Sequence, residues 1–153
     1  MIDISWFRPF ELSTGSRNKV YSCDLDEIPD VAGVYVFGRS HGVSFAPVYI
    51  GESENVRKRV SQHIDSVPLM LALKNAKNGT RHLHVGTIKR KSGQPVKLAL
   101  QRVERAMIKY ALAQGHELVN YKGTKTPYDA IAFSGNLDCR RVFGRSMHVE
   151  RRP

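Results

Sequence analysis

The chain has two cysteines in 153 residues, Cys23 and Cys139. They are too few and too far apart to make a disulfide framework or a zinc ribbon, so neither staple holds this fold together. No apolar run approaches the ~20 residues that a membrane-spanning helix requires. The opening stretch from Met1 to Phe10 lacks the basic flank and apolar run of a secretory leader. These absences lead us to expect a soluble, intracellular, cytoplasmic protein with no membrane partner. Disorder is excluded by a hydrophobic content of 41%, and a chain of this length can bury one core unaided. A single domain over 1–153 is therefore expected. Acidic residues are the other scarcity. Against 24 Lys and Arg there are 14 Asp and Glu, for a formal charge of +10. The deficit is local: residues 74–109 carry ten basic side chains and one acid, Glu104, while residues 1–30 carry three basic and six acidic. So basic a stretch fits a polyanionic partner, nucleic acid above all, although a merely soluble surface has the same composition.

The pattern along the chain predicts a mixed α/β (α+β) domain, a small mixed or antiparallel sheet covered by helices. Residues 1–30 show no strong periodicity and read as a lead-in ending at the Pro29-Asp30 turn. The β-branched and aromatic run from Gly33 to Arg39 reads as a strand, Ser40 to Pro47 as a hairpin loop, and Val48 to Gly51 as the start of a second strand. Ser53 is placed to cap a helix over Glu54 to Ile64, with Val56, Val60 and Ile64 on one stripe. A second helix is expected over Ser66 to Lys77, with Pro68 in its first turn. Arg81 to Lys89 alternates and reads as a third strand. Pro95 to Gln114 is the clearest helix, with Val96, Leu100, Val103, Met107 and Tyr110 as its apolar stripe and Gly115 at its C-cap. Beyond Lys122 the pattern weakens, and 123–153 reads as a basic extension.

Several polar side chains fall where this pattern turns inward. Alternation puts Tyr35 and Tyr49 opposite to Val34 and Ile50, so both phenols can project from one face of the hairpin. Taken alone, two strand tyrosines are as easily packing residues. Arg59 and His63 are four apart on one helix face, next to Val56 and Val60, and are expected to point toward the core side, where an unpaired charge is costly. Arg57 lies on the other flank of the stripe. Glu104 sits on the shoulder of its helix's apolar stripe. It either pairs with a neighbouring arginine or holds a divalent cation, which prefers oxygen ligands. His82 and His84 alternate along one face of the third strand; two such residues make a weak metal site and a more ordinary packing pair.

Gly33-Val34-Tyr35, then Tyr49-Ile50-Gly51 running on to Arg59, then His63, Glu104 and Asn120, resemble the GIY-YIG nuclease domain in order and spacing over about residues 31–122. The family includes homing endonucleases, restriction enzymes and an excision-repair subunit. The resemblance implies a divalent-metal-dependent endonuclease that hydrolyses DNA phosphodiesters to 3′-hydroxyl and 5′-phosphate ends. By the same resemblance Tyr35 is the general base or helps orient the attacking water, Tyr49 supports nucleophile and phosphate, and Arg59 stabilises charge on the phosphate. His63 shares in phosphate contact or proton transfer, Glu104 is the one protein ligand to Mg²⁺ or Mn²⁺, and Asn120 helps hold the site together. A neighbouring arginine and a metal are expected to lower the phenol's pKa from its ordinary value near 10. The chain departs from several members of that family at Glu52, where they carry lysine. An acid pointing inward there opposes a phenolate, which leaves His63, ordinarily titrating near 6.5, as the second candidate base. Lys89, Arg90 and Lys91, with Arg57, are the expected nucleic-acid contacts. RNA or branched DNA as substrate, or a catalytically silent nucleic-acid-binding domain, are the alternative readings. The sequence is silent on oligomeric state.

Overall fold

A computed structural model describes residues 2–16, 18–89, 93, 95–120 and 128–150. Its frame is an antiparallel sheet in which β1 (Asp3–Trp6) and β2 (Phe10–Glu11) pair in succession along one edge of β7 (Thr80–Lys89). On its other edge β7 pairs with β5 (Gly33–His41), which pairs with β6 (Ser44–Ser53), giving the order β1-β7-β5-β6. Alternation divides the side chains of β5 between two faces. Tyr35 and Phe37 join Leu83 and Val85 under α1 (Val56–Ile64) and α2 (Val67–Lys74), packing on Val56, Val60, Met70 and Leu73. Val34 and Val36 point the other way, toward Leu100, Ile108 and Leu112 of α3 (Val96–Ala113). The sheet is thus covered on both faces, and β6 is its far edge.

The central order β-β-α-α-β-α follows the expected one, but several boundaries and one packing assignment differ. The supposed lead-in supplies β1 and β2, with a small hairpin of β3 (Ser13–Thr14) and β4 (Tyr21–Ser22) and a 3-10 turn at Leu25–Glu27 behind them. The expected hairpin loop at 40–47 is mostly strand: only Gly42 and Val43 separate β5 from β6, and Gly42 takes φ 60° at that turn. The register between the two strands shifts at Phe37/Gly38, so Phe37 faces Tyr49 while Gly38 faces Pro47. The first helix is capped by Asn55, whose side chain accepts from the Lys58 amide at 3.0 Å. Ser53 is not the cap; its hydroxyl braces Asn55, accepting from the backbone amide at 3.0 Å and donating to the carbonyl at 2.9 Å.

α2 stops at Lys74, short of the expected Lys77 and well before Gly79. α3 ends as its sequence dictates. Gly115, at φ 84°, closes a Schellman turn in which its amide donates to Leu112 and the His116 amide donates to Ala111, each at 3.0 Å. Its stripe bends at the C-terminal end toward Ile108, Ala111 and Leu112, leaving Tyr110 70% exposed rather than in the core. The basic extension is not structureless either: β8 (Tyr128–Ala132) pairs with β9 (Ser146–Glu150) around α4 (Leu137–Phe143). Among the described residues no helix is long and apolar enough to cross a membrane.

Candidate active site

Tyr35 and Tyr49 project from the same sheet face, under α1. Their rings stack at 6.3 Å between centroids with 17° between planes. Tyr35 is 1% exposed, and its hydroxyl lies 2.8 Å from Nε2 of His63, itself 8% exposed. His63 also stands 4.9 Å, centroid to centroid, from Tyr49. The helix therefore returns one imidazole to both phenols. Room for this arrangement comes from Gly51, which pairs with Tyr35 across the strands. A Cβ at Gly51 would come within 2.4 Å of the Tyr35 ring. Gly51→Ala should displace that ring and lower stability by about 1–3 kcal/mol, the usual cost of overpacking a filled core. Denaturant unfolding of the variant checks this; an unchanged midpoint would mean that the ring has elsewhere to go.

The electrostatics of the pair correct two expectations. Burial pushes the Tyr35 phenol upward, Tyr49 adds to the shift, and the hydrogen bond and charge of Arg59 only partly oppose it. The expected lowering by arginine is outweighed because Tyr35 lies inside the core while Arg59 stands outside it. Tyr49 is raised by burial as well, again opposed by Arg59. His63 does not titrate near neutrality: burial, aided by Arg59, lowers it to about 4. Both partners of the 2.8 Å bond are thus uncharged at neutral pH. With the proton of the ring on Nδ1, Nε2 accepts from the phenol.

This depression has a sign in stability. Between pH 6.5 and about 4 the unfolded chain binds a proton at His63 that the folded chain refuses. The stability it contributes is complete above pH 6.5 and is lost as pH falls toward 4. Its full size is on the order of 3 kcal/mol, reduced by whatever solvent reaches the ring. We expect the parent to lose up to about 3 kcal/mol more than His63→Gln between pH 7.5 and 4.5, by urea unfolding at each pH. Parallel pH profiles for the two proteins would contradict a buried neutral His63.

Arg59 is the third correction. Sharing a helix face with His63 does not bury it: it is exposed, and its Nη1 donates to Oε1 of Gln62 at 2.9 Å. From the exposed side of α1 it acts on Tyr35 and Tyr49 by charge and hydrogen bond, and on His63 and Glu52 by charge. Glu104 is half-buried on α3, close enough to oppose ionisation of both tyrosines. Burial raises its own pKa, and Glu52 raises it further. No ion pair of Glu104 occurs among the described residues, so the arginine partner that its position allowed is not found there. Glu52 alternates to the α3 face of β6, opposite to Tyr49 and Gly51. It therefore bears on Glu104 and is not among the groups that shift Tyr35. Burial raises Glu52 too, with Lys97 of α3 pulling it back.

Among the described residues no three of His, Cys, Asp and Glu gather around a point for a metal ion. The donor set on offer is the Glu104 carboxylate with Glu52 near enough to raise it, oxygen donors of the kind a hard divalent cation takes while keeping most of its own waters. Asn120 donates from Nδ2 to the carbonyl of Ile50 at 2.6 Å, between Tyr49 and Gly51, and the Val119 amide donates to Val48 at 2.8 Å. That segment thereby lies along the edge of β6. Arg57 commits its guanidinium to the carbonyls of Ile28 at 2.7 Å and Asp26 at 3.2 Å, and so ties the 3-10 turn to α1. Lys89 is exposed at the end of β7; Arg90 and Lys91 lie outside the described residues. His82 bonds to the Ser40 hydroxyl at 2.8 Å and His84 packs on Phe45 at 4.3 Å, on the sheet face away from the tyrosines. Gln62 and Lys97 join the site unannounced. Gln62 is three residues from Arg59, a helical spacing that signals the contact, whereas Lys97 becomes legible only once the side of α3 that meets Glu52 is known. Comparison with models of known families, with curated proteins and with solved structures gives no match.

Proposed function

We propose that this chain is a GIY-YIG-type endonuclease that hydrolyses DNA phosphodiesters with a divalent metal ion, Mg²⁺ or Mn²⁺. The observation that carries the reading is the constellation at the edge of β6. Two stacked tyrosines, a neutral histidine bonded to one of them, an exposed arginine and a half-buried glutamate with no ion pair among the described residues are brought together from two strands and two helices. A purely structural cluster gains nothing from holding Glu104 and Glu52 beside each other in a partly buried place. A cation-binding site does.

The chemistry assigned to the chain's own residues follows from their charge states. Water adds to phosphorus as the bond to the 3′-oxygen breaks, and the departing oxygen takes a proton from solvent, leaving 3′-hydroxyl and 5′-phosphate ends. The water's proton passes to the Tyr35 oxygen while Tyr35 gives its own proton to Nε2 of His63, 2.8 Å away, and His63, whose lowered pKa disfavours the imidazolium, returns a proton to solvent. In this relay Tyr35 need never persist as a phenolate, which its burial disfavours. Tyr49, stacked beside it, presents a second hydroxyl to the phosphate. Arg59, exposed on α1, meets the non-bridging oxygens, where a guanidinium is suited to bidentate contact. Glu104, with Glu52 beside it, would hold the metal ion. When bound, the ion supplies positive charge against the phosphate and leaving oxygen. The test is cleavage of duplex, single-stranded and forked DNA, with RNA in parallel, in Mg²⁺, in Mn²⁺ and in EDTA. Cutting in metal but not in chelator supports the reading, the preferred substrate names its class, and binding without cleavage in any arm points to a silent binding domain.

A further inference from the structure

A cavity of about 630 Å³ opens on the tyrosine side of the sheet between β6, the C-terminal end of α2 and residues 115–119. We propose that it is a phosphate-binding subsite for the nucleic-acid strand leading out of the candidate active site. The inference rests on the nuclease reading, because it takes its ligand from that reaction.

Position is the first argument. Val48 and Val119 line the cavity, and the next residue of each segment, Tyr49 and Asn120, belongs to the site. The two segments are bonded at this point, Val119 amide to Val48 carbonyl, 2.8 Å. A strand advances ~3.3 Å per residue and duplex DNA ~3.4 Å per nucleotide, so the cavity lies within a step or two of the scissile phosphate.

Chemistry is the second. Arg39, Lys77 and His116 line the cavity, against one carboxylate, Glu117, which is exposed. Burial and then the nearby Arg39 charge lower the His116 pKa, which leaves it a neutral donor of one N–H. Arg39 uses Nη1 on the Asn78 carbonyl at 3.0 Å, one of the five N–H donors of a guanidinium.

Construction is the third. Arg81 gathers four carbonyls of the turn after α2: Lys74 at 3.1 Å, Ala76 at 2.9 Å, Lys77 at 3.0 Å and Gly79 at 2.9 Å. The backbone that carries Lys77 is thus clamped rather than left as a loose loop. Gly79 fits closely beneath it, since a Cβ there would meet the Ser40 carbonyl oxygen at 2.4 Å.

The experiment compares the 153-residue parent, Lys77→Gln and the Arg39→Gln/Lys77→Gln double variant, binding a short DNA duplex in EDTA over a range of salt. Losing one phosphate contact should flatten the slope of log K against log salt by about 1, and losing two by about 2. Lys77 is exposed, so the single variant keeps the test sound if the double variant folds poorly. In parallel, thymidine 3′,5′-bisphosphate is titrated while the His116 ring is followed by NMR. Saturable shifts are expected in the parent and not in the double variant. DNA binding with unchanged slopes, and a silent His116 ring, would overturn the subsite and leave the nuclease reading standing. A parent that binds no DNA removes both.

Discussion

Glu104→Gln is expected to lower metal-dependent DNA cleavage by three or more orders of magnitude while leaving the fold as stable as the parent, or more so. Glutamine keeps the shape of the side chain and removes the charge that would hold the cation. Loss of Lewis-acid stabilisation of about 4 kcal/mol corresponds to roughly 10³-fold in rate. The stability half follows from the direction of the pKa shift. Burial and then Glu52 raise the Glu104 carboxyl, so its ionised form at neutral pH works against folding, and that opposition disappears in Gln. The same argument gives a readout without cleavage: Mg²⁺ should raise the melting temperature of the parent and not of the variant. Were Glu104 merely a structural partner, the variant would melt earlier and cut with the parent's metal dependence.

Tyr35→Phe should reduce cleavage by about 10²–10⁴-fold, the usual worth of a positioned proton-transfer group. Phe retains the ring that stacks on Tyr49 and covers Gly51. It removes the hydroxyl that bonds to Nε2 of His63. Leaving that nitrogen unpaired in a buried place costs about 1–3 kcal/mol, so the variant should melt somewhat earlier yet still fold. Single-turnover cleavage with DNA in excess of its dissociation constant separates the chemical loss from binding. Near-parent rates would show that the proton leaves the attacking water by another route. His63 offers no direct substitute with a titration near neutrality, since its pKa is lowered to about 4.

Much of this architecture was legible in the sequence because its central elements obey local rules. The Val56, Val60, Ile64 stripe, the alternation from Arg81 to Lys89 and the Gly115 cap each declare themselves within a few residues. Strand alternation alone also placed Tyr35 and Tyr49 on one face, as found. What stayed hidden depends on distant partners. Four residues, Asp3–Trp6, carry too short a pattern to announce a strand, and theirs exists because the far edge of β7 is there to receive it. The edge of β6 is in turn covered by a segment seventy residues on, through Asn120.

The depth of each site residue was equally invisible. One helical face carries both Arg59 and His63, yet the curvature of the packing leaves the first in solvent and the second in the core. From that difference follow the raised Tyr35, the depressed His63 and the failure of Arg59 to activate the phenol alone. Glu52 was legible as a departure but not as a consequence. Only the register that sends it to the α3 face turns it from an obstacle to the tyrosine into a neighbour of Glu104.

Metal-dependent hydrolysis is tested most directly by one cleavage assay on the unmodified 153-residue chain, with duplex and forked DNA, in Mg²⁺ and in excess EDTA, followed by analysis of the product ends. Cutting in Mg²⁺, none in EDTA, recovery when Mg²⁺ is restored, and products with 3′-hydroxyl and 5′-phosphate termini are expected. Equal cutting in Mg²⁺ and EDTA, or no cutting of either substrate by a folded, DNA-binding protein in Mg²⁺, would contradict it.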